Sequence, residues 1–256
     1  MPIKEIKHPR LDLKIPSFSC DGSLNPILQR YPMLSNLDNY KLTCLIGLPA
    51  SGKTSLLISW LTGKGDKKVF RKVFDSVLVC MPVASRSSLK KNIFKNHPAE
   101  KLFNELNNDS MSQIYESLQT YSSEKKSTLL ILDDVGASLR QNEIQKKLKE
   151  IVYNRRHMRV HIIMLMQSYI SMPREIRKLI NNAILFKPSK VEAETLLNEL
   201  FEMDKHDVLE LMRYAYDKPH QYLFLNVQDQ KIYKDYNELL IKNNLNNSIY
   251  DSSEED

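Results

Sequence analysis

The chain of 256 residues has little cysteine, little glycine and a single tryptophan. Its three cysteines, Cys20, Cys44 and Cys80, form no CxxC pair and meet no paired histidine spacing, so a disulfide framework and a zinc site are not expected. A reducing compartment follows. Long apolar runs are missing too. The most apolar stretch, Leu42 to Leu61, is interrupted by Lys53 and several polar residues, which argues against a membrane-spanning helix. The N-terminal stretch MPIKEIKHPRLDLKIP carries no apolar h-region, so a secreted protein is not expected.

What is present suits a folded domain. Hydrophobic residues make up 42% and charged residues 27%, which excludes disorder throughout. The formal charge is +6, and four of the acids (Asp251, Glu254, Glu255, Asp256) crowd the last six residues. The body of the chain is therefore more basic than the total, a balance that suits contact with polyanions but does not by itself point to them.

Three regions are expected. Residues 1–36 hold five of the 11 prolines and read as an extended arm. Residues 37–241 read as one α/β domain. Residues 242–256, rich in Asn, Ser and acids, read as a disordered tail. Within the domain, apolar runs alternate with helical periodicity. Strands are expected at 41–47, 76–81, 128–133, 160–166 and 183–186, with helices at 53–61, 111–125, 143–155 and 174–181. Unbroken apolar strands separated by helices indicate a mostly parallel sheet covered on both faces. Two further helices (191–202 and 206–216), a strand (221–227) and a possible hairpin through KIYKDY finish the domain.

Between the first strand and the first helix stands Gly47-Leu48-Pro49-Ala50-Ser51-Gly52-Lys53-Thr54, followed by Ser55. This is GxxxxGK[ST], the phosphate loop of P-loop NTPases. Two of only 6 glycines fall at its two obligatory positions, where side chains would obstruct N–H groups turned toward a phosphate. The helix start behind them favours anions. Lys53 can reach the β- and γ-phosphates of ATP, and the Thr54 hydroxyl can ligate Mg²⁺.

A second constellation follows the strand Leu129-Leu130-Ile131-Leu132, which ends in Asp133-Asp134. Asp133 is expected to hold Mg²⁺ through its water shell, and Asp134 to orient or deprotonate the attacking water. In sequence, SVLVCM (76–81) separates the loop strand from this acid strand. That order is typical of the P-loop branch with an additional catalytic acid, whereas nucleotide kinases usually set the two strands side by side. The next strand ends in Gln167-Ser168, a polar tip suited to sensing the γ-phosphate. Arg155, Arg156, His157 and Arg159 precede it. They read either as cations decorating a helix end or as an arginine finger offered to a neighbouring subunit, with Arg174 and Arg177 as further alternatives. Lys64, Lys67, Lys68, Arg71 and Lys72, then Lys90, Lys91 and Lys95, supply what sequence-independent contact with a phosphate backbone requires.

GLPASGKT, the LLILDD strand, the Arg-Arg-His stretch and MLMQSY together resemble the viral genome-packaging ATPases of the FtsK/HerA superfamily, closest to the poxvirus-type packaging ATPases of large DNA viruses and virophages. The likeness covers residues 38–190. It implies a homo-oligomeric ring, a hexamer or pentamer, which hydrolyses ATP to pump double-stranded DNA into a capsid, with capsid proteins as partners and no membrane. It implies a place in the host cytoplasm or viral factory, or in the virion. Lys53 and Thr54 take the Walker A roles, Asp133 the metal role, Asp134 the catalytic-acid role, Gln167 the sensor role, and Arg155 or Arg156 the finger. Asp134 stands where many members have Glu, and its shorter reach leaves room for a second water. A non-pumping switch such as a helicase loader, and a P-loop kinase, are the competing functions. Gln167 and the catalytic acid argue against the kinase.

Overall fold

A strand covered on both faces has no solvent side to mark with polar residues, and the central strands of this chain are buried from end to end. The computed structural model describes residues 37, 39–89, 92–234 and 237–240. The expected arm at 1–36 and tail at 242–256 lie outside the described residues, as do Cys20, Lys90 and Lys91.

The strands are β1 (Leu42–Ile46), β2 (Ser76–Cys80), β3 (Leu102–Phe103), β4 (Thr128–Asp133), β5 (Val160–Met166), β6 (Asn182–Phe186), β7 (Tyr222–Asn226), β8 (Lys231–Lys234) and β9 (Asn237–Leu239). They form one sheet in the order β3-β2-β4-β5-β1-β6-β7-β8-β9. The pairs from β3 to β6 are parallel, and those from β6 to β9 are antiparallel. The helices are α1 (Lys53–Thr62), α2 (Val83–Ser87), α3 (Asn108–Ser123), α4 (Asn142–Tyr153), α5 (Arg174–Arg177), α6 (Lys190–Phe201) and α7 (Lys205–Ala215).

Alternation along the strands sorts the core into two layers. Leu42, Cys44, Ile46, Leu130, Leu132, Ile162 and Met164 face α3 to α7. Leu45, Leu129, Ile131, Ile163 and Leu165 face α1 with Leu57 and Trp60, together with Phe70 and Phe94. Each fully buried side chain contributes about 1.5–3 kcal/mol. The expected α/β fold with a mostly parallel sheet is the observed one.

Three details differ from the sequence reading. In space the strand between the loop strand β1 and the acid strand β4 is β5; SVLVCM, as β2, lies on the far side of β4. The helix expected over 174–181 stops at Arg177. Asn181 is drawn out of it because its N–H bonds Leu42 O at 3.0 Å and its side-chain oxygen accepts from Leu42 N at 2.9 Å, which tacks the chain to the start of β1. Conversely, α3 starts three residues before Met111. Asn107 accepts from Ser110 N at 2.9 Å and the Ser110 hydroxyl accepts from Asn107 N at 2.9 Å, a reciprocal cap.

Candidate active site

In a parallel sheet ligands collect at the carboxyl ends of the strands, and here three adjacent ends carry the predicted residues. Gly47 follows β1 and is tied to the end of β5 by its N–H, which donates to Met166 O at 3.1 Å. Asp133 closes β4 in register with Leu165 of β5. Gln167 follows β5. The structure thus brings the loop, the acid pair and Gln167 together.

The loop from Gly47 to Gly52 turns through Ala50 (φ 60°) and Gly52 (φ 112°) into α1. A side chain at Gly52 would be strained at that φ. Lys53 folds back over the loop: its Nζ donates to Gly47 O at 2.5 Å and Leu48 O at 2.8 Å. Burial lowers its pKa, while Asp133 and Asp134 pull the other way. Ser51 Oγ is buried and has no hydrogen-bond partner, a donor the loop itself leaves unused. Thr54 is half-buried and Ser55 exposed at the first turn of α1.

Asp133 is only 7% exposed. Its carboxyl is pushed up to about 6, first by burial and then by the charge of Asp134, with Lys53 opposing. Asp134 is exposed and takes a left-handed backbone (φ 54°), which turns the chain off the strand end. Gln167 Nε2 donates to Asp134 Oδ1 at 2.9 Å. A buried carboxylate held unfavourably beside a second one is a place where a divalent cation is welcome. Asp133 and the Thr54 hydroxyl are hard oxygen donors, the type Mg²⁺ takes. The residues therefore fit the ion.

Arg155 and Arg156 are not at this edge. Arg155 O accepts from Val160 N at 2.9 Å, at the start of β5. Seven strand residues separate them from Gln167, roughly 20 Å at the usual rise. Arg155 donates from Nη1 to Val152 O at 2.7 Å, so it closes the end of α4. Arg156 is exposed. Arg177 pairs with Glu199 at 3.1 Å and lies over the Tyr169 ring at 5.0 Å, a packing role. Lys64, Lys67 and Lys72 are exposed in the segment after α1, on the same edge as Arg156. That segment is fixed there by Phe70 and Phe74, whose rings pack on His161 of β5 at 5.0 and 5.9 Å.

Two residues at the site carry no sequence signal for it. Glu192 of α6 accepts from Tyr169 N at 2.7 Å and from the Ser168 hydroxyl, anchoring the segment right after Gln167. Ser189 and Glu192 stand at capping-box spacing, which already accounts for both locally, and Ser189 does cap α6. His220, in a left-handed turn (φ 63°) before β7, lies with Nδ1 3.2 Å from Ser51 O. Its place beside the loop depends on the sheet order, which no local pattern encodes.

Known proteins place this geometry. No curated protein sequence matches the chain. Among solved structures it is similar to the genome packaging NTPase B204 from Sulfolobus turreted icosahedral virus 2 in complex with ATP-gammaS, at TM-score 0.58 and 14% identity over 78% of this chain and 98% of that one. It is similar as well to B204, the DNA-packaging ATPase from Sulfolobus Turreted Icosahedral Virus, at TM-score 0.57 and 14% identity over 76% and 96%. At such identity the likeness establishes the P-loop ATPase fold. The family described as Poxvirus A32 protein matches residues 31–252, which takes in both the site and the antiparallel strands beyond it. On that match the chain belongs to the Poxvirus A32 protein family.

Proposed function

We propose that this chain is an ATP-hydrolysing motor that moves double-stranded DNA into a viral capsid, working as a homo-oligomeric ring in the host cytoplasm or viral factory and meeting capsid proteins there. The carrying observation is the insertion of β5 between the loop strand and the acid strand, which sets Gln167 on Asp134 at 2.9 Å. A kinase with the two strands adjacent would have no such polar tip between them. Membership in the family and the likeness to B204 support the same reading.

The geometry supports the following roles. The N–H groups of Leu48, Ala50 and Gly52 to Ser55, with the start of α1, receive the phosphates; Pro49 has none to offer, and the Ser51 N–H donates to Leu48 O at 3.2 Å. Lys53 exchanges its two loop carbonyls for the β- and γ-phosphate oxygens. Asp133 and Thr54 hold Mg²⁺, which when bound neutralises phosphate charge. Asp134 orients a water for attack on the γ-phosphorus and draws off its proton as the bond to the β–γ bridging oxygen breaks. Gln167 keeps Asp134 in place and senses whether the γ-phosphate is there. Arg156, too far from this chain's own loop, is offered to the loop of a neighbouring copy. The exposed lysines after α1 contact the DNA backbone.

The test is ATP hydrolysis with and without long double-stranded DNA across a range of protein concentration, with Lys53→Ala as the control. Stimulation by DNA that rises more steeply than protein concentration is expected. A rate indifferent to DNA and linear in protein would sink the motor.

A further inference from the structure

A cavity of about 510 Å³ opens beside the phosphate loop, within the size range of small-molecule sites. One wall is the loop and the start of α1, residues 50–56; the other is three rings, Phe186, His220 and Tyr222. Phe186 ends β6, and Tyr222 begins β7 opposite it in register. Their rings are 5.4 Å apart and tilted by 49°. His220 joins them from the turn before β7. Phe186 Cε1 and His220 Nδ1 lie 3.2 and 3.7 Å from the point where a Cβ on Gly52 would stand, so both rings converge on the loop. Phe186 is buried, Tyr222 half-buried and His220 exposed.

We propose that His220 and Tyr222, backed by Phe186, form the seat for the nucleobase of the bound nucleoside triphosphate. The inference rests on the phosphate-loop reading above and adds what lies beyond the phosphates. A flat base needs ring faces, and these are the rings that adjoin the loop across one cavity. Every base has a π-face, and stacking on aromatic side chains is tolerant of which base it is. The described lining carries no carboxylate and no side-chain amide that could read a base edge. Stacking area then favours the larger bases, so that ATP and GTP bind more tightly than CTP and UTP. Tyr222 and His220 come from the antiparallel extension of the sheet, so the extension takes part in the site.

The experiment measures binding of Mg²⁺-ATP and of Mg²⁺-tripolyphosphate, which has no base, to the full chain and to variants. The wild type is expected to bind ATP ~10-fold tighter than tripolyphosphate, the scale of one base stack. Tyr222→Ala and His220→Ala should remove most of that difference while leaving tripolyphosphate affinity in place, and Tyr222→Phe, which keeps the ring, should restore it. Equal wild-type affinity for the two ligands would overturn the seat, and so would alanine variants that weaken both ligands together, since that reports damage to the loop. If neither ligand binds the wild type, or Lys53→Ala binds both as well as the wild type does, the phosphate-loop reading falls and the seat with it.

Discussion

A methyl group at Gly47 would stand 2.7 Å from Phe186 Cβ and 2.9 Å from Ser51 Oγ. Phe186 Cβ is fixed by its backbone in β6, so the loop has to give way. Gly47→Ala is expected to cost about 1–3 kcal/mol in thermal denaturation, and in a titration with ATP to bind at least ~10-fold more weakly because the carbonyls that position Lys53 move. Asp134→Asn should behave differently. It keeps an oxygen for Gln167 to donate to and, on the proposed role, loses only the base, so ATP binding survives and turnover falls ~10²–10⁴-fold; equilibrium binding beside steady-state hydrolysis separates the two. These residues were legible because their chemistry is local: two glycines, a lysine and a threonine at fixed spacing, and two acids at the end of an apolar run. His220 was not, since nothing within its own turn says which loop it will face.

At the scale of elements, the tip of β5 is held from behind by α6. Glu192→Gln turns a strong acceptor into a weak one and loosens Ser168 and Tyr169 N, and with them Gln167. The expected result is a lower kcat with ATP KM unchanged; an equal fall in both, or a lowered Tm alone, would mean that Glu192 only supports the fold. A second clamp joins β2 to β4. The Asp75 carboxylate accepts from Ser127 N and Ser127 Oγ, both at 2.8 Å, and these bonds, the backbone one foremost, lower its pKa. An acid with a depressed pKa stabilises the fold above its unfolded value, and the effect disappears as pH falls through the lower folded value. Asp75 is exposed, so Asp75→Asn should cost about 1 kcal/mol at neutral pH, and denaturant titrations should show the gap closing in acid. The long strands could be read because doubly covered strands are unbroken apolar runs. Their order could not, since such a run says that a strand is buried and not which neighbour buries it. The two-residue β3 leaves no pattern at all.

For the whole molecule, the length of the sheet separates two groups of residues. The phosphate loop, the acid pair and Gln167 occupy one edge; Arg156 and the lysines after α1 occupy the other. On the proposed reading, an arginine roughly 20 Å from its own loop completes catalysis for another copy. Arg156→Ala and Asp134→Asn should each lose hydrolysis, the first by ~10³–10⁵-fold, and an equal mixture should regain part of the wild-type rate, because some junctions then join an intact Asp134 to an intact Arg156. A mixture as inactive as its parts would assign Arg156 to the DNA backbone instead, where its loss flattens the salt dependence of DNA binding. The rims of the sheet carry a last consequence. Among the described residues it begins with the two-residue β3 and ends with the three-residue β9. Rims that short offer almost no row of open N–H and C=O groups for a second sheet to zip onto. Copies of this chain that met at these described rims would do so largely through side chains, and contacts of that kind can slide, tilt and let go at each turnover without tearing a main-chain ladder.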